Sequence, residues 1–96
     1  MKGRISKRCR KQVKALAKYI ETKGDSPKQA SILIDTFNEK AASICKMPTI
    51  GMPYKNETRK IPLGKFPYNI YYRITKDFVY FIGIWSMKRG KDFSTF

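Results

Sequence analysis

Along residues 66–89 the apolar positions alternate. Tyr68, Ile70, Tyr72 and Ile74 are separated by Asn69, Tyr71 and Arg73, the two-residue period of a strand with one face wetter than the other. Thr75-Lys76-Asp77 supplies a short polar turn. Phe78–Trp85 then runs apolar on both faces, as a strand inside a sheet does. A turn this short predicts an antiparallel hairpin. The hairpin leads into Ser86-Met87-Lys88-Arg89, where the chain leaves the core carrying charge. A working surface is expected there.

Upstream the period lengthens to that of helices. Cys9, Val13, Leu16, Ala17 and Ile20 share one helical face, with Ser6 as N-cap and Gly24 as the stop. A second helix opens at Ser26-Pro27-Lys28-Gln29, which reads as an N-cap, a proline at the first helical position and a capping-box glutamine. Ala30, Leu33, Phe37, Ala41 and Ile44 follow on one face, widened by Ile34 and Cys45, and Pro48 ends the region. The short link between the helices predicts an antiparallel helical hairpin. Residues 2–5 allow a first strand with only Ile5 to bury. Residues 46–57 read as a loop, and Thr58–Leu63 as a strand that Pro62 confines to an edge or an irregular position. The order is (β)-α-α-β-β-β: an α+β fold of two layers, with a helical hairpin packed on a small, mostly antiparallel sheet.

The chain of 96 residues is expected to form a single domain over residues 1–96. Cys9 and Cys45 fall on apolar helix faces and read as reduced residues of a cytoplasmic protein, a disulfide between them being the alternative. The longest apolar stretch, Val79–Trp85, is too short to span a bilayer. Charge changes the picture more. Lys and Arg number 21 against 7 acidic residues, a net charge of +14. Self-repulsion on that scale points to an anionic partner: nucleic acid, a ribosome or an acidic protein. Six cations, Lys7, Arg8, Arg10, Lys11, Lys14 and Lys18, crowd the polar face of the first helix. Near a helix N-terminus they oppose the macrodipole, so a phosphate or an acidic partner is expected on that face.

The composition also excludes chemistry. Without histidine there is no His-based triad and no imidazole base. Two isolated cysteines make no zinc site, the glycines form no phosphate-cradling loop, and no cofactor is expected. Cations and aromatics remain. Lys60, Arg73, Lys88 and Arg89 could stabilise a phosphate while an RNA 2′-hydroxyl attacks it, with Tyr71 stacked on a base. Proton transfer would fall to Glu57, a lysine or a tyrosine.

These segments together resemble the RelE/ParE toxin superfamily of type II toxin–antitoxin systems. The resemblance rests on the helical hairpin, the proline–glycine loop, Arg59 before an apolar strand, PYNIYYRI with its short turn, and the final strand ending IWSMKRGKDF. It implies a toxin neutralised by an acidic antitoxin from the same operon, the pair binding its own promoter DNA. RelE-like members cut mRNA on the ribosome; ParE-like members poison DNA gyrase. Here Asn69 stands where RelE-like members typically carry an arginine, and the tail offers Phe93 and Phe96 rather than a terminal Tyr or His. Arg73 and Arg59 match arginines frequent in ParE-like members, and Arg89 the family's arginine after the last strand.

The resemblance therefore implies a ParE-like gyrase inhibitor, with Arg59, Tyr71, Arg73, Lys88, Arg89 and Lys91 meeting the target. Lys7, Arg10, Lys11, Lys14 and Lys18, with the sheet edge by Arg59, are expected to meet the antitoxin. The alternatives are a metal-independent endoribonuclease using Arg73, Arg89, Lys60, Lys88 and Glu57, or an inactive member kept as a binding module.

Overall fold

Ser6 decides where the chain turns from strand to helix. In the computed structural model, which describes residues 1–87, β1 (Lys2–Ile5) ends immediately before it and α1 (Lys7–Thr22) begins immediately after. Lys88, Arg89 and Lys91, expected from the sequence as site residues, lie outside the described residues. The Ser6 hydroxyl accepts from Cys9 N at 2.9 Å, capping the helix, and donates to Ile82 O at 2.8 Å. The start of α1 agrees with the sequence; at the far end, after Thr22, Tyr19 O receives the N–H groups of Lys23 and Gly24, and the left-handed residue is Asp25 (φ 50°) and not Gly24. Ser6→Ala removes a cap and leaves the Ile82 carbonyl without this donor, so a loss of about 1–2 kcal/mol is expected in urea unfolding. A shift no larger than that of an exposed Ser→Ala control would show that neither bond matters.

α2 (Pro27–Lys46) starts as expected at Ser26, whose side chain accepts from Gln29 N at 3.2 Å. The reciprocal half of a capping box is replaced, because Ser26 N donates to Ile20 O across the helix–helix turn. The buried residues of α1 are Cys9, Val13 and Ala17, and those of α2 are Ala30, Leu33, Phe37 and Ile44. Ile34 departs from its expected place in the apolar face and is 41 % exposed. One turn on from Ala30, it lies at the edge of the apolar stripe, where the stripe meets solvent.

The loop after α2 is more ordered than its prolines suggest. A 3-10 turn (Pro48–Ile50) leads into a two-residue strand, β2 (Met52–Pro53). β3 (Thr58–Pro62), β4 (Tyr68–Ile74) and β5 (Phe78–Ser86) complete a five-stranded sheet in the order β1-β5-β4-β3-β2. β1 lies parallel to β5 and every other pair is antiparallel. Pro62 is tolerated because β2 pairs with β3 only at Lys60 and Arg59, leaving the Pro62 flank unpaired. The helices cover one side of the sheet, where Phe37 meets Phe81 edge to face at 6.3 Å and Ile70, Tyr72, Val79 and Ile84 close the core.

One irregularity was hidden in the uniform apolar run of β5. Tyr71 pairs with Gly83 and Tyr72 with Phe81, so Ile82 is an extra residue, a β-bulge. Beyond the end of β1, the start of α1 supplies partners along this edge of β5. Ser6 N donates to Phe81 O, Ser6 Oγ donates to Ile82 O, and Gln12 Oε1 accepts from Ile84 N at 2.8 Å. Gly83 makes room for this: a Cβ there would stand 2.5 Å from Gln12 Oε1 and 2.7 Å from the Trp85 ring.

Candidate functional site

The sheet has a helix-free face, and strand alternation decides what it shows. On β4 the residues in or against the core are Tyr68, Ile70, Tyr72 and Ile74, so Asn69, Tyr71 and Arg73 project the other way. Cross-strand register places Lys60 beside Tyr71, and Thr58 and Tyr80 on either side of Arg73. Tyr54, from the loop before β3, adds its ring. Lys60 Nζ lies 4.9 Å from the centroid of that ring and Lys55 Nζ 5.9 Å from it. Of the residues expected from sequence, this face unites Lys60, Tyr71 and Arg73.

Tyr71 is nevertheless not the open ring that the alternation suggests. It is 1 % exposed, packed edge to face on Tyr54 and on Trp85, each at 5.5 Å between centroids. Asn69 is buried as well, at 8 % exposure. The supposedly wetter face of β4 is thus roofed by aromatic side chains, and no face of the Tyr71 ring is left for a base in this conformation. Burial pushes the Tyr71 hydroxyl above its ordinary value; a hydrogen bond with Asn69 opposes the shift and neighbouring Tyr54 adds to it. A phenol moved in that direction is a poorer base-in-waiting at neutral pH.

Arg59 occupies a different place. It pairs in register with Tyr72, on the helix side of the sheet. Its Nη1 donates to Gly51 O at 2.8 Å and Thr49 O at 3.3 Å. Tyr72 grips the same turn: its hydroxyl donates to Pro48 O at 2.6 Å and accepts from Gly51 N at 2.9 Å. Burial raises the Tyr72 pKa, against the Gly51 bond and the Arg59 charge, which lower it. Tyr72 and Arg59 therefore fix the 3-10 turn and present Met47, Ile50 and Met52, which are 59 %, 40 % and 64 % exposed. The sequence pattern carries no sign of this clamp, since its partners are backbone groups of a loop.

Glu57 sits in the tight turn before β3 with φ 60° and is exposed. Lys7, Arg10, Lys11, Lys14 and Lys18 are all exposed on α1, the layer on the other side of the sheet. The expected cations thus divide into a helix face and a sheet face. Nothing local in the sequence singles out Arg4 and Tyr80, because a parallel pairing between β1 and β5 leaves no local signature.

A five-stranded sheet with this helical hairpin on one side is a known arrangement. The model of the family described as ParE toxin of type II toxin-antitoxin system, parDE, matches residues 4–90. The chain belongs to the ParE toxin family. Among solved structures, one titled chromosomal ParDE TA system from P. aeruginosa is similar at a TM-score of 0.75 and 16 % identity. The alignment covers 90 % of this chain and 95 % of that one, a likeness of fold. No curated protein matches.

The protein is a ParE-like toxin of a type II toxin–antitoxin system, and an antitoxin is its partner. The toxin's described residues include no helix long and apolar enough to cross a membrane.

Proposed function

We propose that this toxin stops growth by binding DNA gyrase, without cutting RNA. The observation that carries this reading is the middle of the helix-free face. There Asn69 is buried where a RelE-like nuclease would be expected to place an arginine, and Tyr71 is enclosed by Tyr54 and Trp85. Cys9, Tyr71 and Tyr72 are each pushed up in pKa, away from neutrality and away from what an acid or base working at pH 7 needs. Glu57 lies out on its turn. Contact demands none of these groups. Arg73, with Lys60 beside the aromatic roof, would then meet the target, and Arg59 would act through the loop it holds.

The deciding experiment pairs two assays on the full chain. Supercoiling of relaxed plasmid by purified gyrase is expected to fall as toxin is added. Primer extension on a reporter mRNA in cell-free translation is expected to show an intact message. Codon-phased, ribosome-dependent cuts would reject the gyrase reading and make Arg73 and Lys60 catalytic.

The antitoxin is proposed to be a small acidic protein from the same operon, neutralising the exposed cations of α1 as it folds on them. The complex, with the antitoxin supplying most of the contact, would bind promoter DNA. Reversing Lys11 and Lys14 to Glu is expected to weaken antitoxin binding at least tenfold, as judged by calorimetry. Unchanged affinity would move the interface elsewhere.

A further inference from the structure

One register row crosses four strands of the helix-free face. Arg4 on β1 faces Tyr80 on β5, Tyr80 faces Arg73 on β4, and Arg73 faces Thr58 on β3. With neighbouring strands about 4.8 Å apart, the two arginines flank Tyr80 from roughly 10 Å apart. Tyr80 is 38 % exposed, in contrast to the enclosed Tyr71 of the neighbouring row. The Arg4 guanidinium rests over the Phe78 ring, 4.7 Å from its centroid. Among the described residues, the buried Arg73 Nε has no hydrogen-bond partner. An unmet donor on a charged group is costly, and an oxyanion that drew the side chain off the sheet could bond Nε and a terminal nitrogen together. β1, β3, β4 and β5 contain no Asp or Glu.

We propose that this row binds single-stranded nucleic acid, with a base stacked on Tyr80 and its flanking phosphates on Arg4 and Arg73. An exposed phenol between two guanidinia suits a base with a phosphate on each side. A duplex keeps its bases stacked inside and offers Tyr80 no ring. Binding makes and breaks no covalent bond; it shares Arg73 with the gyrase reading, but it is read from oligonucleotide affinity and not from supercoiling, so either can fail while the other stands.

The test is fluorescence anisotropy of labelled oligothymidine and oligouridine with the full chain across a salt series. Tyr80→Ala is expected to weaken binding roughly 5- to 150-fold, the range for losing one stacked base. Tyr80→Phe should keep most of it. Arg4→Gln and Arg73→Gln should each reduce the slope of log affinity against log salt by about 0.7, and Lys28→Gln, at an exposed position of α2, should leave it unchanged. This pattern with either oligomer supports the row, and a preference between them tells DNA from RNA. If Arg73→Gln fails to fold, Arg4→Gln and Tyr80→Ala decide alone, since both side chains are exposed. Wild-type affinity in Tyr80→Ala, or an equal loss in Lys28→Gln, would reduce the binding to general attraction by net charge and overturn the proposal. Polyglutamate that bound as tightly, with the same variant pattern, would assign the row to an acidic protein instead.

Discussion

Gly51→Ala is expected to lower stability by about 3 kcal/mol, near the upper end of what overpacking costs. The cause is space. Gly51 has φ −73° and ψ 151°, a conformation open to any residue. Its added Cβ would land on the Tyr72 hydroxyl and stand 2.8 Å from Cε1 and 2.9 Å from Cζ of the same ring. Tyr72 cannot retreat, because it is fully buried and its ring packs 6.2 Å from that of Phe81. The turn must move instead, and with it the bonds from Tyr72 to Pro48 O and from Arg59 to Gly51 O. Urea unfolding would show the midpoint falling with little change in slope. Tyr72→Phe, which keeps the ring and loses both hydroxyl bonds, should cost less, about 1–3 kcal/mol. A Gly51→Ala midpoint equal to wild type would mean that the turn is free to shift and that the clamp holds nothing rigid.

That clamp alters how Arg59 variants are to be read. Removing the guanidinium frees the Gly51 and Thr49 carbonyls and loosens the turn carrying Met47, Ile50 and Met52. A loss of toxicity in Arg59→Ala would therefore not distinguish a target contact from a displaced loop. Unfolding of the same variant separates the two, since a contact residue costs activity with little loss of stability.

The order of elements was legible because its signals are local. Ser6 and Ser26 cap the helices, Pro27 opens the second, and the turn at residues 75–77 closes the hairpin, each within a few residues of what it controls. The long-range features were not legible. The bulge at Ile82 is met by the side chains of Ser6 and Gln12, bonded across 76 and 72 residues of chain, and within Phe78–Trp85 only Gly83 marks it. The burial of Asn69 and Tyr71 depends on Tyr54 and Trp85 closing over a face that alternation alone leaves wet. Of the candidate site, the residue types were foreseen and their grouping was not: Arg73 and Lys60 share the sheet face, Arg59 turns to the helix side, and Arg4 enters only through the parallel pairing of β1.

Raising the pH above about 9 is expected to destabilise the folded toxin, and Cys9 is the main reason at the start of that range. Its thiol is completely buried in the core beneath α1, and burial pushes its pKa from 9.0 to about 12, against a smaller pull from the Arg10 charge. Below pH 9 both folded and unfolded chains keep the proton, and the thiol gives no pH dependence. Between 9 and 12 the unfolded chain ionises while the folded one does not, so stability falls by about 1.4 kcal/mol per pH unit, up to about 4 kcal/mol in all. The raised hydroxyls of Tyr71 and Tyr72 act in the same direction from about pH 10 upward. Cys9→Ala isolates the thiol. It should be less stable at pH 8 through the cavity it leaves, yet decline more slowly towards pH 10, so the wild-type and variant curves converge. Cys45, only partly buried, should meanwhile react with a thiol reagent in the folded state, with Cys9 following only on unfolding. Parallel stability curves for wild type and Cys9→Ala would show that the thiol's pKa is the same in both states, and the alkaline loss would then belong to the tyrosines.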